Sequence, residues 1–130
     1  MNWFFTNSGG RSVSAGTRPG SDSHNGNAVM YDARNGKILT FGGADTFATF
    51  GTDVMGTGDT VIITIGGVGA QAQTKVVGSL HMPRVYGNGV VLPDGRVLVL
   101  GGSEIPHEFN DDTPVLNPGA PPCPRASAVP

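Results

Sequence analysis

Three histidines, one cysteine and two tyrosines are the side chains of this chain that could together hold a transition metal. The histidines are His24, His81 and His107, and no two of them stand at ligand spacing on one element. Cys123 is the only cysteine, so an internal disulfide is excluded, and it lies in a Pro-rich segment. The spacing favours three unrelated surface or loop histidines over a metal centre built from one motif.

Four carboxylates near the end of the chain are a second candidate for chemistry. Asp111 and Asp112 are adjacent, and Glu104 and Glu108 lie close by in sequence. Paired carboxylates can perform general acid–base catalysis. In a segment with this many polar residues we expect them instead to cap turns and solvate a loop.

One unit, consisting of an apolar run, a tight turn, a second apolar run and a Gly-Gly pair, occurs twice. The first copy spans 27–43 with the turn Asn35-Gly36, and the second spans 88–102 with the turn Asp94-Gly95. These dipeptides tolerate the positive φ of hairpin turns. The Gly-Gly pairs open no helix and precede no lysine, so they are not phosphate-binding loops. A repeated hairpin at this spacing is typical of a β-propeller blade, although two copies cannot close a ring.

The β-branched and apolar runs predict an all-β chain with two antiparallel sheets and no helix. The strands are expected at 28–32, 37–42, 60–65, 88–92 and 96–100, with a short additional strand at Val76-Val77. Each repeated pair should form a hairpin, and strand 60–65 should lie beside the first hairpin at the outside of its blade. Runs such as 61–63 and 97–99 would then leave apolar surface and strand edges uncovered in an incomplete ring.

The remaining segments read as irregular structure. Residues 7–26 are rich in Ser, Gly and Asn and predict a long N-terminal loop. The Pro-rich stretch after Pro114 cannot enter a sheet interior and predicts a C-terminal tail. We therefore expect a partial propeller domain over 1–118 and a disordered tail over 119–130.

Composition limits the classes of partner. The chain has 130 residues, a formal net charge of −2 and only 14% charged residues, without a basic stripe. Nucleic acid and anionic membranes are therefore not expected as partners. The first residues lack a basic leader followed by an apolar stretch, so no signal peptide is expected here. The cellular location is left open.

Several of these segments carry a family resemblance. The chain resembles the copper-radical oxidase family of galactose oxidase and glyoxal oxidase. The resemblance lies in the stretches 1–3, 14–16, 26–33, 36–43 and 90–95 and in the ending Asp112-Thr113-Pro114-Val115. The resemblance covers roughly residues 1–116. It implies about two blades of a kelch-type β-propeller that has seven blades in the complete family member.

The resemblance also implies where the chemistry would lie. In the family, two tyrosines and two histidines bind one copper ion, and one tyrosine is linked to a cysteine to form the radical cofactor. In the register favoured by the ending at Val115, all these residues fall outside this chain, which would then carry no catalytic residue and no metal ligand. A second register would make Tyr86 the axial tyrosine, but Gly87 stands where its histidine neighbour should be.

Two phenylalanines match residues of the family's substrate pocket. Phe109 matches a pocket phenylalanine, while Phe47 and Ala48 match a pocket tyrosine and glutamine.

The resemblance implies a fragment that is inactive alone, with a carbohydrate or aldehyde substrate bound only in a full-length relative. Self-association, or contact with the missing blades, would cover its exposed faces. The alternative function is a non-catalytic kelch-like binding module built from β-sheets.

Overall fold

The computed structural model describes residues 1–20, 22–46 and 54–104, and all regular structure within them is β-strand. The strands are β1 (Asn2–Phe4), β2 (Ser12–Ser14), β3 (Asn27–Asp32), β4 (Lys37–Phe41), β5 (Asp59–Thr64), β6 (Gln73–Ser79), β7 (Asn88–Val91) and β8 (Val97–Leu100). They form three antiparallel sheets, which are the hairpin β1-β2, the four-stranded sheet β3-β4-β5-β6 and the hairpin β7-β8. Over the described residues, the all-β prediction is confirmed. None of these residues belongs to a helix of the length and apolar character that a membrane span requires.

The hairpin β1-β2 was not predicted, and it adds a third sheet to the expected two. Trp3 pairs with Val13, and the indole Nε1 of Trp3 donates a hydrogen bond to the Ala70 carbonyl at 2.7 Å. Strand β2 lies inside the segment predicted as a loop, so that prediction is wrong for Ser12–Ser14. Three residues with one apolar side chain are too few to show a period of two in the sequence.

The two predicted hairpins are confirmed. In the first, Asn27 is opposite Phe41 and a β-bulge interrupts the register between Met30 and Asp32. In the second, Asn88 is opposite Leu100. The short loops that close them are the polar and glycine turns expected from the sequence.

Strand β5 pairs with β4 as predicted, but it does not form the outside of its sheet. Strand β6 pairs with β5 and forms the edge, so the predicted position of 60–65 is wrong. The short strand expected at Val76-Val77 is one part of the seven-residue strand Gln73–Ser79. Most of β6 is exposed, and an exposed edge strand needs no apolar alternation, so the sequence underestimates its length.

The four-stranded sheet holds the core of the described residues. Phe41 and Val61 are 2% and 1% exposed, and they lie on opposite faces of the sheet because β4 pairs Phe41 with Thr60 and Thr40 with Val61. The Phe41 ring lies against β7 at Gly89. On the other face, Arg18 donates a hydrogen bond from Nε to Thr40 Oγ1 at 2.9 Å. The sheet is therefore contacted on one face by β7 and on the other by the chain that follows β2.

Candidate functional site

The segments that precede β3, β5 and β7 and those that follow β4 and β8 meet at the end of the sheets where β3 and β7 begin. We call this region the strand-end junction. It consists of His24–Asn25, Gly42–Ala44, Gly56–Thr57, Arg84–Tyr86 and Gly101–Glu104. Ala44 and Val85, at its centre, are both 0% exposed. The junction joins the four-stranded sheet to the hairpin β7-β8 and is the base from which the neighbouring loops depart.

A ring of three backbone hydrogen bonds holds three of these segments together. The Gly43 N–H donates to the Arg84 carbonyl at 2.7 Å, and the Arg84 N–H donates to the Thr57 carbonyl at 3.2 Å. The Thr57 N–H donates back to the Gly43 carbonyl at 2.6 Å. Because each of these three residues donates its N–H and accepts at its carbonyl, their backbone polar groups are satisfied without water.

The Gly-Gly pairs of the repeat make this close approach possible. Gly42 has φ +64°, and a Cβ at this position would overlap the Arg84 carbonyl oxygen. In the second copy, a Cβ at Gly102, which has φ +85°, would lie 2.5 Å from the Val85 carbonyl oxygen. Contact at such distances excludes any side chain. The glycines that end each copy therefore let neighbouring backbones touch at the junction.

Asn25 and Tyr86 form a reciprocal pair at equivalent positions before β3 and β7. Both have the left-handed conformation, with φ of 59° and 57°. The Tyr86 N–H donates to the Asn25 carbonyl at 2.8 Å, and Asn25 Nδ2 donates to the Tyr86 hydroxyl oxygen at 2.9 Å. An aromatic residue adopts positive φ only where its surroundings impose it. Sequence reasoning missed Asn25, although Asn before Gly is a signal for a left-handed residue.

The predicted pocket residues Phe47, with Ala48, and Phe109 lie outside the described residues. The structure does describe the ends of the chain segments that lead to them. Ala44 and Gly56, which flank the 47–53 segment, pair with each other, and Ala44 also pairs with His24. The Gly56 N–H donates a hydrogen bond at 2.7 Å to the carbonyl of Glu104, after which the segment that carries Phe109 begins. Both segments thus start at the strand-end junction, and the pocket itself stays a prediction.

Comparison with known proteins gives this geometry its context. Two curated galactose oxidases are each 40% identical to the chain over 124 residues, one from Gibberella zeae strain PH-1 and one from Gibberella zeae. This match covers 91% of the chain. The chain is a homologue of galactose oxidase. It covers 18% of the length of these curated relatives, so the homology concerns one segment of a galactose oxidase. No protein-family model matches the chain.

A solved structure supports the galactose oxidase homology at the level of the fold. It is a fungal alcohol oxidase of the AA5 family in complex with copper, and it superposes with a TM-score of 0.73 at 38% sequence identity. The superposition covers 81% of this chain and 21% of that one. The family resemblance identified from the sequence motifs is therefore confirmed.

The described residues of this galactose oxidase homologue do not supply a set of metal ligands. Across 1–20, 22–46 and 54–104, no three His, Cys, Asp or Glu side chains converge so that they could hold a metal ion. His24 lies at the strand-end junction, and His81 lies exposed just after β6. His107 and Cys123 lie outside the described residues. We therefore derive no copper-dependent step from this chain.

Proposed function

We propose that this chain is a framework segment of a galactose-oxidase-like copper-radical oxidase. The observation that carries the proposal is a homology spanning 91% of this chain but only 18% of the relative's length. In this proposal, β3 to β6 form one kelch-type blade. The hairpin β1-β2 supplies outer strands of the preceding blade, and the hairpin β7-β8 supplies inner strands of the following one.

In the whole enzyme, the chain would position loops and leave the redox chemistry to other segments. Oxidation of a primary alcohol or aldehyde by O2, with release of H2O2, would be carried out at a copper centre whose ligands lie outside this chain. The strand-end junction would fix the bases of the segments that carry Phe47 and Phe109, which would contribute apolar surface for the substrate. A rigid base matters because positioning errors of about 1 Å are costly in catalysis.

The isolated chain should show no oxidase activity, whereas a chimaera should. Purified chain supplied with copper and O2 should release no H2O2 from galactose or small aldehydes above a heat-killed control. Exchanging the matching segment of the Gibberella zeae galactose oxidase for this chain should give a chimaera that binds copper and releases H2O2.

Turnover by the isolated chain would contradict the proposal, and Tyr86→Phe would then be the first variant to assay. A chimaera that folds and binds copper but stays inactive would contradict the role assigned to the loop bases. A chimaera that does not fold would show that this chain is not equivalent to the galactose oxidase segment, and would favour the non-catalytic binding module.

The isolated chain should also self-associate, through the outward face of β7-β8. Val90 is opposite Leu98 in that hairpin, and Leu100 lies two residues further along the same face. They are 47%, 50% and 42% exposed, so three large apolar side chains share one uncovered face. The expected exposure of 61–63 is wrong for Val61 and Ile63, which are 1% and 6% exposed.

Light scattering after size exclusion, at micromolar protein concentration, measures the oligomeric state of the isolated chain. Leu98→Glu should shift the chain towards monomer, because a charge on the shared face opposes its burial. Val68→Glu is the matched control, since Val68 is 75% exposed in a turn away from β7-β8. A sharp monomer peak with a cooperative thermal transition for the unchanged chain would contradict self-association and favour an independent binding module.

A further inference from the structure

The chain contains only two lysines, and both line the same cleft. Lys37 and Lys75 are 38 positions apart in sequence, yet they border one open cleft of about 310 Å³ on a face of the four-stranded sheet. The other lining residues are Tyr31, Ile62, Thr64, Gln73 and Thr74. Bringing both lysines of the chain to one cleft is a property of the fold that calls for a physical account.

The strand register places these side chains on one face. Lys37 is opposite Thr64, and Thr64 is in turn opposite Gln73, so these three form a row across β4, β5 and β6. Ile62 and Lys75 form the adjacent row on the same face, because residues two apart in a strand point the same way. Strands β4 and β6 flank β5, so the backbones that carry the two lysines lie about 10 Å apart. Both long side chains can reach a small ligand held over β5.

The charge balance of the cleft is positive. Asp32 Oδ2 lies 3.9 Å from Lys37 Nζ, and the hydrogen bond from the Asn35 side chain holds the pKa of Asp32 below its usual range, so this carboxylate is ionised at neutral pH. Arg34 adds a further positive charge near Asp32. Among the described residues, no carboxylate forms an ion pair with Lys75. The two lysines of the cleft therefore outnumber the one carboxylate that lies beside it, which pairs with Lys37.

We propose that this cleft binds a small polyhydroxy acid, such as a sugar carboxylate. The two ammonium groups would take the carboxylate in charge-assisted hydrogen bonds. The Thr64 hydroxyl and the Gln73 amide supply donors and acceptors for ligand hydroxyls, and Ile62 supplies apolar contact. A cleft of about 310 Å³ is large for a bare oxyanion and has room for a monosaccharide.

The cleft lies on the face of the sheet that carries Phe41, outward of the contact with β7, and in the whole enzyme proposed above the outer strands of the following blade would face it. The inference therefore concerns the chain as a separate unit, and it does not rest on the proposed oxidase role. Lys37 begins β4, whereas the strand-end junction lies beyond the other end of that strand, at Gly42. The cleft and the junction therefore lie at opposite ends of the sheet. The test of this inference measures ligand binding to the full chain and requires no enzymatic turnover.

The test is a titration of the ¹⁵N-labelled full chain with D-galacturonate at constant ionic strength, monitored by amide chemical shifts. D-galactose is the neutral counterpart and sulfate the small-oxyanion counterpart. Galacturonate should produce saturable shifts that are largest on β5 and β6, at 62–64 and 73–75. Galactose should bind at least tenfold more weakly, and so should sulfate.

Lysine variants locate the binding groups. Lys37→Met and Lys75→Met should each weaken binding about fivefold, since a solvent-exposed charge pair contributes up to about 1 kcal/mol. Both variants keep an unbranched side chain, and an unchanged amide spectrum elsewhere establishes that they fold. Arg96→Met is the matched control, because Arg96 does not line the cleft and its side chain is 79% exposed; the affinity of this variant for galacturonate should equal that of the unchanged chain.

Three results would overturn the proposal. One is the absence of saturable shifts on β5 and β6. Another is an equal loss of affinity in the Arg96→Met control, which would indicate non-specific attraction. The third is equal affinity for sulfate and galacturonate, which would show that the cleft recognises charge without the sugar.

Discussion

Gly42→Ala should destabilise the chain strongly, whereas the same change at Gly101 should have a much smaller effect. The two glycines hold the same place in the repeat and have nearly the same φ, +64° and +67°. An alanine therefore meets the same left-handed backbone cost, roughly 1–2 kcal/mol, at either position. What differs is the surroundings, since a Cβ at Gly42 would overlap the Arg84 carbonyl, while no atom of the described residues lies within 4 Å of one at Gly101.

The difference between these two variants isolates the cost of separating the backbones at the strand-end junction. The Arg84 carbonyl also accepts the Gly43 N–H, so moving it away disturbs the ring of three hydrogen bonds. We expect Gly42→Ala to lower the free energy of unfolding by about 2–5 kcal/mol, the sum of the conformational cost and an overpacking cost.

Urea denaturation monitored by circular dichroism measures both variants under one set of conditions. The slope against urea concentration should stay the same, so that the midpoint reports stability alone. Equal midpoints for Gly42→Ala and Gly101→Ala would contradict the steric role of Gly42. They would show that conformational freedom is all that either position requires.

Phe41→Ala should have the largest effect of any single truncation among the described residues. Phe41 is 2% exposed, and its ring contacts the backbone of β7 at Gly89, where a Cβ would lie 3.0 Å from the ring. Removing a buried phenylalanine side chain costs about 3–5 kcal/mol. Because the ring lies between the four-stranded sheet and β7-β8, amide hydrogen exchange should accelerate in β7 more than in β6. Phe4→Ala is the matched control, since Phe4 is 72% exposed, and it should change stability by less than about 0.5 kcal/mol.

A double-mutant cycle with Gly89→Ala tests the contact itself. In the unchanged chain, Gly89→Ala should be destabilising, because the added methyl group meets the ring at close to 3.0 Å. In the Phe41→Ala background, the same methyl group enters space that the ring has left, so the cost should fall or reverse. Additive effects of the two changes would show that Phe41 does not pack against β7.

Local chemistry in the sequence determined both hairpins and the family. The turns Asn35-Gly36 and Asp94-Gly95 follow short-range rules, because a two-stranded antiparallel pair with a tight turn involves residues close in sequence. Strand β5 was identified for a similar reason, since its run of β-branched residues followed by a Gly-Gly pair favours a strand locally. The motifs that resemble copper-radical oxidases could also be identified from the sequence alone, and the galactose oxidase relatives confirm this family resemblance.

The tertiary structure decided what depends on contacts distant in sequence. Exposed strands such as β2 and β6 are held by pairing rather than by burial, so their composition carries little signal. Gly42 and Gly101 look identical in sequence, and only the approach of Arg84 separates them. Lys37 and Lys75 likewise share a cleft only because the register across β5 puts both on one face. A turn is specified by the residues within it, whereas a shared face or a backbone contact is specified by strands that the chain brings together only when it folds.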